Sequence, residues 1–246
     1  ELKNVNAGDI DRQLIKADYA FYTVLAQGEL ALAGKGDKKA AVANALKFAS
    51  NYGTSWHIYD TAKLLGDLAL ALNDHANALK YYSLLARAPS SDTKIEAKYL
   101  TGLVHLKKGD ADTASTEFDK VISLQPQTPA AVRLQTLSKA GKSVALALAG
   151  KGPEGLAMVQ GLIADLNPTD TELAARIYNA QGASYEAGGD NEGAIMAYLH
   201  THLMFATQPD AHAEALKRLV ELWPQVGKPE RAAEARQELQ QRYPGF

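Results

Sequence analysis

A six-residue phrase occurs twice in this chain. Ala31-Leu32-Ala33-Gly34-Lys35-Gly36 returns as Ala147-Leu148-Ala149-Gly150-Lys151-Gly152, 116 residues later. That interval holds three units of roughly 39 residues, a period within the range of stacked supersecondary repeats. A copied unit cannot bury its apolar face alone, so it must stack on its neighbours.

The punctuation inside the interval predicts what the unit is. Gly34-Lys35-Gly36-Asp37, Asn73-Asp74, Gly109-Asp110, Gly150-Lys151-Gly152-Pro153, Gly188-Gly189-Asp190 and Gly227-Lys228-Pro229 fall at regular steps. Gly or Asn accepts the left-handed backbone that ends a helix. Asp caps the start of the next one. A second set, Pro89, Pro126, Pro168, Pro209 and Pro244, falls between these. Leu64, Leu65, Leu68 and Leu72 share one helical face, as do Leu216, Leu219, Val220 and Trp223. The 43 Ala and 32 Leu favour helix, and runs of Val, Ile and Thr suited to strands are missing. The expectation is an all-α chain reading helix, tight turn, helix, Pro-marked turn, repeated as one domain over 1–246.

The clearest unit places Gly102, Ala114, Phe118 and Pro126 at fixed offsets. Gly66, Ala78, Tyr82 and Pro89 nearly copy it, as do Gly182, Ala194 and Tyr198, with Tyr178 and Tyr185 flanking the glycine. The first unit offers Gly28, Ala40 and Asn44. The fourth offers Val144, Leu156 and Gln160, and the last Val220, Ala232, Arg236 and Pro244. This spacing resembles the tetratricopeptide repeat. The resemblance implies a right-handed α-solenoid of about six antiparallel helical hairpins, centred near 28, 66, 102, 144, 182 and 220. The small residues let paired helices approach, and the aromatics fill the gap to the next hairpin.

Composition excludes several chemistries. With 26 Lys and Arg against 28 Asp and Glu, the net charge of −2 argues against a nucleic-acid binder. The absence of Cys removes disulfides, thiolate metal sites and a Cys nucleophile. No apolar run approaches the roughly 20 residues of a membrane span. His200 and His202 are two apart on a helix and point to different sides, so no metal site is expected. Gly141-Lys142-Ser143 lacks the earlier glycine of a phosphate loop, with Thr136 in its place. No nucleophile elbow or zinc-protease motif is present, so no enzyme and no cofactor is expected.

The resemblance implies a concave face lined by the first helix of each hairpin, taking an extended peptide or a partner's helix. The candidate partner-binding residues are Asp60, Lys63, Asp67, Glu96, Tyr99, Leu103, Lys107, Arg176, Asn179 and Glu186. Tyr22, Leu25, Glu29, Glu214 and Lys217 extend the same face. Lys63 is followed one turn later by Asp67, which would repel a carboxylate, so a clamp for a chaperone's C-terminal tail is not implied. The expected function is a protein–protein interaction scaffold. The alternatives are an enzyme on a helical frame with a carboxylate-lined cleft and a self-assembling structural module. Trp56, Tyr59 and Tyr52 form a lesser candidate ledge. The chain starts at Glu1 and not Met, which suggests a processed product. Arg242-Tyr243-Pro244-Gly245 is similar to tails of bacterial tetratricopeptide proteins of the cell envelope. A periplasmic or envelope location is therefore the expectation, with the cytoplasm as alternative.

Overall fold

The structure, a computed structural model, describes residues 13–167 and 169–244. The Pro168 turn marker, Gly245 and Glu1 lie outside the described residues. Twelve α-helices are present among the described residues: α1 (Gln13–Leu32), α2 (Lys38–Asn51), α3 (Ile58–Ala71), α4 (His75–Leu85), α5 (Ser91–Lys107), α6 (Ala111–Ile122), α7 (Pro129–Leu148), α8 (Gly152–Ala164), α9 (Thr171–Ala187), α10 (Asn191–Met204), α11 (Pro209–Leu222) and α12 (Pro229–Arg242). They pair as antiparallel hairpins, so the fold is an all-α solenoid of helical hairpins. The chain divides into two compact units, with the boundary between Ala97 and Lys98 inside α5.

The turns form where the sequence places its left-handed residues. Gly34, Gly109, Gly150, Gly189 and Gly227 adopt φ of 74–80°, and Asn73 adopts 58°. Their side-chain caps follow directly: the carboxylates of Asp37, Asp74, Asp110 and Asp190 accept backbone N–H groups at the starts of α2, α4, α6 and α10. Each such cap is worth about 1 kcal/mol.

The unit up to Ala97 is centred on Phe21, Phe48, Leu64, Leu65 and Leu68. Leu64 lies against Gly28, and Tyr82 against Gly66, so closely that a Cβ at either glycine would fall within 2.6 Å of a side-chain carbon. The first hairpin slips by one residue from the expected register. Ala41, Ala45 and Phe48 are buried, while Ala40 and Asn44 face solvent. The cause is the longer turn from residue 33 to 37, where the hairpins built on α3, α5, α7 and α9 use three residues.

In the unit from Lys98 onward, Phe118 is fully buried between Gly102 of α5 and Gly141 of α7. Tyr198 packs on Gly182 in the same way. The fourth hairpin keeps the repeat one residue earlier than its expected centre at Val144. Ser143 and Val159 are 0% exposed, and a Cβ on Gly155 would lie 2.3 Å from the Ser143 carbonyl oxygen. Leu156 is half-buried and Gln160 exposed. Gly141-Lys142-Ser143 sits mid-helix in α7, with its glycine serving close packing. Leu216, Leu219, Leu222 and Ala235 close the last hairpin; Arg236 faces solvent.

Candidate functional site

An opening with both aromatic and ionic walls lies between the first helices of the first two hairpins. It is a cleft of about 320 Å³ lined by Phe21, Tyr22, Leu25 and Glu29 of α1, by Trp56 and His57, and by Asp60, Lys63, Leu64 and Asp67 of α3. Phe21 and Leu64 belong to the core and form its floor. Tyr22 is 47% exposed and Trp56 65%. A larger hollow of about 600 Å³ opens between α1 and α2, but it is lined by no carboxylate and by none of the expected partner-binding residues.

His57 organises the aromatic wall. Its ring stacks on Phe21 at 3.8 Å between centroids, and Trp56 lies 3.6 Å away on a tilted plane. Tyr22 meets it edge-on at 5.4 Å. The side chain is 1% exposed, with Nε2 3.2 Å from Asp18 Oδ1. Nδ1 is buried without a hydrogen-bond partner; the carboxylate of Asp60 lies 3.5 Å from it.

The opposite wall is ionic. Lys63 Nζ donates to Asp67 Oδ2 at 2.9 Å and lies 3.8 Å from Glu96 Oε1. Tyr82 donates its hydroxyl to the other Asp67 oxygen at 2.7 Å. Burial works against the Lys63 charge, but the carboxylates of Asp67, Glu96 and Glu29 outweigh it and hold the ammonium above its usual pKa. Burial raises the Glu96 carboxyl, and the charges of Asp67 and Asp60 add to the rise against the opposing pull of Lys63. Burial and the Asp67 charge likewise push the Tyr82 phenol well above its usual value.

Among the expected partner-binding residues, Asp60, Lys63 and Asp67 therefore meet in this cleft with Tyr22, Leu25 and Glu29, and Glu96 joins through Lys63. The others lie in the second unit. Tyr99 is buried to 9% exposure beside Phe118, Leu103 is half-buried and Lys107 exposed. Arg176 donates to Glu172 on its own helix. Asn179 is buried and donates to the Ala211 carbonyl at 2.9 Å. Glu186 accepts from Tyr198 and lies 3.5 Å from Arg218. Tyr52 borders the hollow between α1 and α2, and Trp56 the cleft.

One polar cluster escaped sequence reasoning, because its members come from α10, α11 and the end of α12. His212, fully buried, has Nδ1 2.9 Å from the Tyr243 hydroxyl and Nε2 2.9 Å from His202 Nδ1. Glu238 lies 3.8–3.9 Å from the two imidazoles and accepts from Arg242 at 3.0 Å. The two rings are nearly parallel, at 17°, with centroids 5.0 Å apart. Their facing nitrogens therefore share a hydrogen bond. A zinc ion would need nitrogens about 3.3 Å apart with lone pairs converging on a third point. The cluster reads as a relay that ties the last two helices to α10. Burial first, then the positive charges of Arg242 and His202, depress His212 to about 4, so it is neutral at pH 7.

Residues 95–128 match the family model described as tetratricopeptide repeat. No curated protein matches the chain in sequence. A tetratricopeptide repeat protein of known structure from Parabacteroides merdae is 18% identical over 98% of this chain and 83% of its own, with a TM-score of 0.66, which shows the fold. Two further solved structures match with lower scores. BtubC from P. vanneervenii is 12% identical over 94% of this chain and 91% of its own, at 0.48. The P58(IPK) TPR domain is 18% identical over 93% and 62%, at 0.37. No described helix is long and apolar enough to cross a membrane. Residues 95–128 thus carry a tetratricopeptide repeat, the same hairpin recurs on both sides of it, and the fold is that of a tetratricopeptide-repeat structure.

Proposed function

We propose that the protein is an adaptor that holds a partner segment in the α1–α3 cleft. The observation that carries this reading is the pair of exposed aromatics, Tyr22 and Trp56, standing over a cleft whose ionic wall is already fixed from beneath. Exposed Tyr and Trp at a rigid concavity are the usual anchors of an interface. The helical-repeat fold is in general an interaction scaffold, and its family is typically non-enzymatic. The exposed Lys107 and Arg176 are the residues we assign to further contacts outside the cleft. We assign the chain to a single domain over 1–246 and to the bacterial cell envelope on the repeat and the Arg242-Tyr243-Pro244-Gly245 tail.

The test is affinity capture from fractionated source-cell extract, with the parent and a Tyr22→Ala/Trp56→Ala variant of equal helicity. A protein retained by the parent and lost by the variant supports the cleft as the binding site. Equal retention by both places binding elsewhere and defeats this assignment. A second reading rests on α10, where Met196, Leu203 and Met204 are 65–70% exposed at seven- and eight-residue spacing, hence on one face. That stripe would bury itself against a second copy, and light scattering at rising concentration distinguishes the dimer from a monomeric adaptor.

A further inference from the structure

We propose that the α1–α3 cleft selects an arginine side chain of its partner; this rests on the adaptor reading above. The charge balance carries the first step. Glu29, Asp60 and Asp67 line the cleft against one cation, Lys63. That cation is already committed to Asp67 at 2.9 Å and Glu96 at 3.8 Å. Asp67 is engaged on both oxygens, by Lys63 on one and the Tyr82 hydroxyl on the other. The negative charge left over sits on Glu29 and Asp60.

The second step is independent of charge counting. His57 Nε2 lies 3.2 Å from Asp18 Oδ1, and its other ring nitrogen, Nδ1, is buried without a hydrogen-bond partner 3.5 Å from the Asp60 carboxylate. The Asp60 carboxylate, 57% exposed, is open to a donor arriving from the cleft.

The aromatic wall then distinguishes the donor. Trp56 and Tyr22, both exposed, line the same cleft as that carboxylate. A guanidinium stacks flat on an aromatic face while its N–H fork pairs with a carboxylate; a compact, strongly hydrated ammonium does this less well. The floor of Phe21, Leu25 and Leu64 suits the aliphatic stem of the same side chain. At about 320 Å³ the cleft has room for a long side chain.

The experiment uses the full chain and four acetylated, amidated hexapeptides: (Arg-Ala)3, (Lys-Ala)3, (Gln-Ala)3 and (Glu-Ala)3. Binding is read from the shift of the Trp56 indole N–H resonance on titration, assigned by its loss in Trp56→Ala. The arginine peptide is expected to bind at least fivefold more tightly than the lysine peptide, and the Gln and Glu peptides not to shift the signal. Asp60→Asn and Glu29→Gln, each with unchanged helicity, should weaken the arginine peptide about tenfold and threefold. Raising salt from 50 to 300 mM should weaken it severalfold. If (Gln-Ala)3 or (Glu-Ala)3 shifts Trp56 as strongly as (Arg-Ala)3, the cleft binds peptides and the arginine assignment is overturned. If no peptide shifts it, the arginine assignment also fails, while the capture experiment above decides separately whether the cleft holds a partner.

Discussion

Phe118 is held on both faces by glycine, and that clamp can be measured. A Cβ added at Gly102 would lie 2.6 Å from Phe118 Cε1, and one at Gly141 2.5 Å from Cζ. Carbon atoms normally rest about 3.5–4.0 Å apart, so each substitution asks the ring to retreat by about 1 Å. Retreat from Gly102 is blocked by the α7 backbone at Gly141, and the reverse holds equally. Alanine in place of glycine inside a helix would otherwise gain about 1 kcal/mol. Overpacking costs roughly 1–3 kcal/mol. Gly102→Ala and Gly141→Ala are each expected to lose a net of about 0–2 kcal/mol, and the double variant more than the sum. Gly161→Ala is the control: its Cβ would meet nothing within 4 Å, so it should stabilise by about 0.5–1 kcal/mol. In a Phe118→Leu background the ring is gone, and Gly141→Ala should become neutral or stabilising. Urea unfolding followed by circular dichroism reads all of these variants against the parent, with an unchanged denaturant slope as the condition for comparison. A Gly141→Ala variant as stable as Gly161→Ala, or one still destabilised when combined with Phe118→Leu, would refute the clamp.

Three further outcomes follow from other contacts. Because His212 is depressed to about 4 in the fold against 6.5 when unfolded, its contribution is complete above pH 6.5 and is lost as pH falls toward 4. The loss is about 1–2 kcal/mol after allowance for solvent screening near the partly exposed His202. Urea midpoints between pH 7.5 and 4.5 should show it in the parent and flatten in His212→Gln; an equal slope in both removes His212 as the cause. Asn179→Ala removes a buried hydrogen bond to the Ala211 carbonyl and should cost roughly 0.5–1.5 kcal/mol by the same assay. If 1–246 is one domain, as we propose, fluorescence of Trp56 in the first unit and Trp223 in the second should report a single coincident unfolding transition; separated midpoints would divide the chain into two domains.

The turns were readable because their signals are local. Each of the six needs one left-handed residue, which only Gly or Asn supplies cheaply, and four add an Asp within the next few positions. The rungs at Gly66, Gly102 and Gly182 were readable for the same reason: a small residue and an aromatic at a fixed offset define a close approach. Register was harder. The first hairpin takes Ala41 in place of Ala40 because its turn is longer, and the fourth centres on Ser143 because Gly155 packs on that residue's carbonyl. Neither cause shows in spacing alone. Helix phase decided the site residues. Asp60, Lys63 and Asp67 lie one turn apart and share a cleft, whereas Asn179 turns inward to a backbone carbonyl 32 residues away. The His202–His212–Tyr243 relay joins distant segments with no local pattern to announce it.

The rungs differ in one atom, and this limits how far the hairpins are interchangeable. Tyr82 and Tyr198 pass a hydroxyl through the glycine notch to Asp67 and Glu186, while Phe118 fills its notch with nothing beyond the ring. A chimera with the third hairpin's rung in the second position would pack as before yet release Asp67 from below. Its carboxylate would then turn toward Lys63 alone, and the charge map of the cleft would change without any surface residue having been altered. Tyr82→Phe is therefore the smallest edit that keeps the ring in its notch and alters only the charge surroundings of the cleft.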